Sequence, residues 1–105
     1  MTPFQKSVAD ALSVVSEGYV TTYKNISIAI GRPGASQAAH NAVKVAVRYH
    51  GLSLPWHRIV RSNGQMYLNP NYSDERIAAL RSEGIEVTSK GRVVDLEQYL
   101  YDYEQ

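Results

Sequence analysis

The sequence predicts a mainly α-helical domain with small β elements, laid out as a winged helix-turn-helix. Three observations predict it. Capping residues followed by apolar residues at helical spacing open four segments of the chain. The second and third of these are separated only by Arg32-Pro33-Gly34, a tight turn of the kind that joins the two helices of a helix-turn-helix. Beyond them, short apolar runs flank Asn63-Gly64 and Ser89-Lys90-Gly91, the turn signals of small hairpins. With 105 residues, 44% of them hydrophobic and 20% charged, the chain has the size and apolar content of one compact domain spanning residues 1–105.

The first helix starts at Thr2, whose hydroxyl caps it, with Pro3 at the first helical position and Gln5 completing a capping box. Phe4, Val8, Ala11, Leu12 and Val15 recur at its helical spacing, and Gly18 is placed to end it. Thr22 caps a second helix over about residues 23–30, with Ile26, Ala29 and Ile30 facing inward and Gly31 as its stop. Ser36 caps a third helix running to about Arg48. After a short apolar segment at 52–54, runs 59–62 and 65–68 pair across Asn63-Gly64, and residues 69–72 form a loop. Ser73, Asp74 and Glu75 open a fourth helix through Ser82, buried at Ile77 and Leu80 and ended by Gly84. Residues 85–87 and 93–96 pair as a second hairpin, and the pattern at Tyr99, Tyr101 and Tyr103 is ambiguous.

Composition removes several function classes. The chain has no cysteine, which excludes disulfides, thiolate zinc sites and a thiol nucleophile. His40, His50 and His57 show no metal-ligand spacing, so neither a metal nor another cofactor is expected. No apolar run approaches the roughly 20 residues that span a bilayer, and no secretory signal opens the chain; a soluble intracellular protein with no membrane partner is predicted. The net charge of +1 conceals a segregation. Between residues 18 and 73 stand Lys24, Arg32, Lys44, Arg48, Arg58 and Arg61 with no carboxylate, a charge of +6 that leaves −5 for the flanks. That is the electrostatic footprint of a polyanion-binding face.

The third predicted helix divides into two faces. Ala39, Ala42, Val43 and Ala46 form a narrow stripe of small apolar residues that permits close packing on a neighbour. Gln37, His40, Asn41, Lys44 and Arg48 recur on the other side, and with Ser36 at the helix start they offer hydroxyl, amide, imidazole and cationic groups but no carboxylate. Such groups donate to phosphates and base edges without repulsion, which makes this the candidate groove-facing helix. An ordinary solvated face has the same pattern.

Pro55-Trp56-His57-Arg58-Ile59-Val60 resembles the Pro-Cys-His-Arg-Val-type active-site motif of the O6-alkylguanine-DNA alkyltransferases, with Trp56 in place of the nucleophilic cysteine. That replacement is the mark of the alkyltransferase-like proteins. The likeness continues elsewhere, in the family's order. Gly18-Tyr19-Val20-Thr21-Thr22-Tyr23 resembles the Gly-x-Val-Thr-Thr-Tyr entry to the helix-turn-helix, and Gly31-Arg32-Pro33 its turn. Ser62-Asn63-Gly64 matches a Ser-x-Gly, and residues 80–85 match a Leu-x-x-Glu-Gly-x stretch, so the resemblance covers about residues 4–87.

The resemblance implies a DNA-binding domain of the alkyltransferase C-terminal type that enters the minor groove of double-stranded DNA and rotates a guanine into a pocket. Extrusion is needed because the O6 substituent lies inside the duplex. The pocket would comprise Trp56, Tyr23, His57, Arg58 and Tyr72. Trp56 offers an indole face and one N–H but nothing that accepts an alkyl group. Tyr23 stands at the position of the tyrosine that presses the target nucleotide's 3′ phosphate, and Tyr67 and Tyr72 are candidate aromatic walls, of which only Tyr72 carries over. His57, without a thiol to activate, becomes a structural residue linked to Glu83, while Arg58 either positions a phosphate or locks the loop. Two departures stand out. Gln37 replaces the arginine that fills the gap left by the flipped base, and His40 replaces a small glycine.

Three functions remain open at this point. The first is a non-enzymatic, monomeric sensor of O6-alkylguanine that flags lesions for nucleotide excision repair proteins, in the cytoplasm at the nucleoid or in the nucleus. The second is a glycosylase or other lesion-processing enzyme using Glu83 or His57 to activate water. The third is a sequence-specific winged-helix regulator.

Overall fold

The computed structural model describes residues 1–71 and 73–104. Among these described residues five α-helices follow one another: α1 (Pro3–Ser13), α2 (Tyr23–Ala29), α3 (Ser36–His50), α4 (Ser73–Ser82) and α5 (Leu96–Tyr99), with one 3-10 turn at Trp56–Arg58 between α3 and α4. The fold is mainly helical, and among the described residues the β structure consists of isolated bridges. Among the described residues no helix is long and apolar enough to cross a membrane.

α1 begins with the reciprocal capping box of Thr2 and Gln5, satisfying two of the donors a helix start leaves unpaired. It ends at Ser13 rather than near Gly18. The Val14 N–H bonds back to the Asp10 and Leu12 carbonyls and the Val15 N–H to the Leu12 carbonyl, tightening the last turn, and Val15 is buried just outside the helix. Gly18, at φ +92°, serves a separate turn. Thr22 caps α2 by accepting from the Asn25 N–H at 3.0 Å. α2 buries Ile26 and Ser27, whose hydroxyl donates to the Lys24 carbonyl, whereas Ala29 is exposed rather than inward-facing.

The cap position of α3 is taken by Ala35, with no side-chain hydrogen bond, so Ser36 is its first helical residue and not its cap. The reason is the preceding turn: the Ala35 N–H bonds Arg32 O, and the Ala35 carbonyl accepts from Ala39. α3 runs two residues past the expected end, to His50, where Gly51 caps it in the left-handed conformation, and buries the small stripe Ala39, Ala42, Val43 and Ala46 against α1 and α2. α4 coincides with its expected span, and Gly84 and Ile85 close it with N–H bonds to the Arg81 and Leu80 carbonyls.

Two apolar clusters result. Val8, Leu12, Ile26, Ala39, Val43 and Ile59 fill the space among α1–α3, and Val60, Met66, Ile77, Leu80, Ile85 and Val93 fill that beneath α4 and the hairpins. They meet where Thr21 pairs with Ile59 in a parallel bridge, the Thr21 N–H donating to Arg58 O at 2.8 Å and the Val60 N–H to Thr21 O at 2.9 Å. Because side chains alternate along extended backbone, Ile59 enters one cluster and Val60 the other. The 3-10 turn carrying Trp56 is thereby anchored directly to both.

In the first hairpin the Gly64 N–H bonds Arg61 O, which centres the turn on Ser62-Asn63, one residue earlier than the Asn-Gly pair suggests. Gly64 follows at φ +89°, and a Cβ there would lie 2.9 Å from the Val93 carbonyl oxygen. The second hairpin pairs Val87 with Val93, but Leu96 belongs to α5. The chain then returns beside Val20, whose N–H bonds Tyr99 O and whose carbonyl accepts from Tyr101. The Tyr103 hydroxyl donates to Ala11 O at 2.9 Å, tying the tail to α1.

Candidate nucleic-acid interface

An open groove of about 510 Å³ runs between α3 on one side and the 3-10 turn, the 67–69 segment and α4 on the other. α3 contributes His40, Lys44 and Arg48, with Val43 and Val47 between them, and the facing wall is built from Trp56, Tyr67 and Arg76. No carboxylate lines it. Trp56 is 39% exposed, an unusual placement for the only tryptophan of a small domain and one that leaves indole surface open to a ligand. The Arg76 guanidinium lies over this ring, 3.7 Å from its centroid, and its NH1 donates to the Tyr67 carbonyl.

Tyr23 projects from the first turn of α2 into the same groove. Its ring stacks on His40 at 4.9 Å between centroids and 21° between planes, and meets Tyr67 edge-on at 5.7 Å. Arg61 covers Tyr67 from another side at 4.6 Å. Burial, followed by the neighbouring Tyr67, pushes the Tyr23 phenol up to about 12, so at neutral pH it keeps its proton and remains a hydrogen-bond donor.

Behind Trp56 lies a polar network around Glu83, whose side chain is 6% exposed. His57 Nε2 is 2.9 Å from one carboxylate oxygen, and Arg58 Nε and NH2 donate to the two oxygens at 2.9 and 3.0 Å. The Gly18 N–H donates at 3.0 Å, and Arg58 NH1 reaches the Val15 carbonyl. Burial drives the Glu83 carboxyl up, but the hydrogen bonds from Arg58, His57 and Gly18 outweigh it and hold the group below its ordinary range. An ionised Glu83 makes Nε2 the protonated nitrogen of His57, a tautomer assigned from this contact. The network thus fixes the 3-10 turn to α4 and to the segment after α1. At its head is the Trp56 indole.

Not all the sequence-derived candidates converge on the groove. Tyr23, His40, Lys44, Arg48 and Trp56 line it. Gln37 is exposed on α3, one turn before His40, and Ser36 lies beside it. Asn41 instead faces a shallow depression shared with Thr2, Phe4 and Gln5, because one residue's rotation from His40 turns it toward α1. Arg58 lines neither this groove nor the smaller one behind Trp56, and Glu83 and Val15 engage its guanidinium. His57 borders only the smaller one. Tyr72 lies outside the described residues. Sequence reasoning passed over Arg76, although its position four residues before the buried Leu80 puts it on the packed face of α4, a signal that an arginine there has a partner. Among the described residues no three of His, Asp and Glu converge as a metal would require.

A helix-turn-helix beside an aromatic, cationic groove defines a DNA-binding domain of the alkyltransferase type. The chain belongs to that family: residues 3–85 match the one described as 6-O-methylguanine DNA methyltransferase, DNA binding domain. It is 32% identical over 100 residues to the DNA base-flipping protein of Escherichia coli (strain K12), an alignment spanning 95% of this chain and 75% of that one. Its fold is similar to that of S. pombe Atl1 in complex with damaged DNA containing O6-carboxymethylguanine, with a TM-score of 0.76, 27% identity and 97% of each chain covered. It is also similar to the Mycobacterium tuberculosis O6-methylguanine methyltransferase, with a TM-score of 0.60 and 27% identity over 79% of this chain and 49% of that one.

Proposed function

We propose that this chain recognises O6-alkylguanine in double-stranded DNA and does no chemistry on it. As a monomer, it lays the polar face of α3 in the minor groove, rotates the damaged nucleotide out of the stack and holds the base in the groove beside Trp56, leaving the lesion flagged for nucleotide excision repair. The observation that carries this reading is the open groove itself: cations on the α3 side, an exposed indole opposite, and no thiol anywhere in the chain. Rotating the base costs a few kcal/mol, which stacking and apolar contact at Trp56 offset. The base-flipping relative and the damaged-DNA complex of Atl1 support the same reading.

The test uses a duplex with one O6-methylguanine beside an identical undamaged duplex. Tighter binding to the damaged duplex is expected, with the protein mass and the DNA both unchanged after incubation. A protein heavier by one methyl group, or release of the base, would replace this reading with an enzymatic one. Equal affinity for damaged and undamaged duplex, with preference for some sequence, would make the chain a regulator.

A further inference from the structure

Three rings from three elements meet in the wall of the groove. Tyr23 of α2, His40 of α3 and Tyr67 each touch the other two, with centroids 4.9 Å apart for Tyr23 and His40, 5.7 Å for Tyr23 and Tyr67, and 6.0 Å for His40 and Tyr67. The imidazole lies nearly flat on Tyr23, at 21°, so it holds that ring from the α3 side while Tyr67 meets it edge-on. His40 differs from its two neighbours in kind. It is the one imidazole lining the groove, and an imidazole changes charge between pH 5 and 8. Tyr23, pushed up to about 12, stays a neutral phenol across that range, and its π-face remains attractive to a cation. His40 is half-buried, one turn before the exposed Lys44 and two before the exposed Arg48 on the same face of α3.

From this we infer that His40 is a positioning residue for docking on DNA, holding Tyr23 in place by its stack and taking up a proton when α3 meets the phosphates. The inference rests on the proposed function, because it needs α3 laid against the duplex. The charged and titratable groups around the imidazole are Tyr23, Tyr67 with Arg61 over its ring, Lys44 one turn on, and Arg76 across the groove. None of these is a carboxylate, so the groove offers an imidazolium no acidic partner. A phosphate that reaches the Lys44 side of the helix comes within a turn of His40 and supplies the missing negative charge, which favours the protonated ring. Protonation does not open the stack, since a cation gains attraction from the face of Tyr23. The bound state therefore holds more protons than the free one, and affinity rises as pH falls. The contact is to phosphate, so damaged and undamaged duplexes share the effect and lesion preference does not change with it.

The experiment is calorimetry of the whole chain binding an O6-methylguanine duplex and its undamaged twin at low salt, in two buffers that differ in their own heat of protonation, which counts protons taken up. At neutral pH an uptake of about half a proton per complex is expected, and both duplexes should bind about tenfold more tightly at pH 6 than at pH 8, as befits a charge-assisted contact. His40→Phe keeps a ring against Tyr23 but cannot be protonated. It should lose most of the uptake and the pH dependence while binding within about twofold of wild type at pH 8. His40→Ala, which removes the stack as well, should in addition bind about threefold or more weakly at pH 8. His50 at the end of α3 and His57 against Glu83 remain in both variants, so the difference isolates His40. No uptake and a flat pH profile in the wild type overturn the inference without any variant. An undiminished uptake in folded His40→Phe also overturns it, and wild-type affinity of folded His40→Ala at pH 8 overturns the positioning role. If His40→Phe does not fold, the imidazole C–H resonance of His40 in the wild type gives the same reading: its transition should move to higher pH on binding, and an unmoved transition overturns the inference. Failure of the proposed function is distinct: there the wild type would not separate O6-methylguanine from guanine at any pH.

Discussion

Trp56 is exposed because the residues that follow it are not free to move. His57 and Arg58 both bind Glu83, and Ile59 and Val60 enter the two apolar clusters, so the turn delivers its indole to the surface. Trp56→Ala should therefore leave the fold intact and reduce the preference for O6-alkylguanine over guanine by roughly an order of magnitude, the worth of one stacking contact. Competition binding with damaged and plain duplexes measures it, and a folded variant with wild-type preference sinks the pocket reading. Glu83 carries the opposite expectation. Glu83→Ala strands Arg58 and should cost about 3 kcal/mol or more in denaturant unfolding with little effect on lesion preference. Since the folded carboxyl is held below its ordinary value of 4.5, its contribution is complete above that pH and is lost as pH falls through the lower folded value. The difference in stability between wild type and Glu83→Ala should accordingly shrink on acidification; a gap that widens there contradicts the role. At this scale the sequence spelled out the 55–60 motif and Tyr23, because their identities are distinctive. It concealed Arg76 and the diversion of Asn41 toward α1, because those depend on which way a side chain turns once its helix is docked.

Among the elements, those with complete local signals lay where the sequence put them. α1 starts on its own capping box, and α4 has an acidic first turn and a glycine stop, so neither start depends on distant contacts. Elements set by tertiary contacts were harder to read. Ser36 has a cap-forming side chain, yet the turn before it supplies Ala35 as the cap. Ser27 is buried where the helical stripe pointed to Ala29, since its hydroxyl finds a partner within α2. α5 and the tyrosine tail take their conformation from Val20 and α1, more than seventy residues away in sequence. α3 is the element on which docking depends, and its small stripe sets how deeply it seats. Ala39, fully buried between α3 and its neighbours, leaves no room for a larger side chain. Ala39→Leu should destabilise by about 1–3 kcal/mol and, by displacing His40 and Lys44 with the helix, weaken binding to damaged and undamaged DNA together. Chemical denaturation and binding measured on one preparation check this, and unchanged stability would mean that the stripe is not tightly packed.

For the whole molecule the decisive property is where charge sits. The run from residue 18 to 73, which carries +6 and no carboxylate, contains α2, α3 and the 3-10 turn, while the acidic residues belong to α1 and the turn after it, to α4 and to the chain beyond α4. Folding does not leave all six cations on the docking side, because Arg58 is neutralised by Glu83 inside the protein. Lys44 and Arg48 remain exposed along the groove, with Lys24 exposed on α2; Arg32 and Arg61 are exposed as well but lie over the rings of Phe4 and Tyr67, which leaves the first three the freest to reach phosphates. If three phosphates are neutralised, log K should fall with log salt with a slope of about −2.7, a loss of roughly 40-fold between 50 and 200 mM, for damaged and plain duplex alike. Lys44→Ala or Arg48→Ala should each reduce that slope by about one, whereas Trp56→Ala, which removes no charge, should leave it unchanged. This separates the two contributions cleanly, because position on the duplex is set by phosphates and selectivity by the extruded base. Salt titrations of the four proteins on both duplexes provide the check. A wild-type slope near zero would mean that the segregated charge is not a docking surface, and a slope unaltered by both α3 substitutions would move that surface off α3.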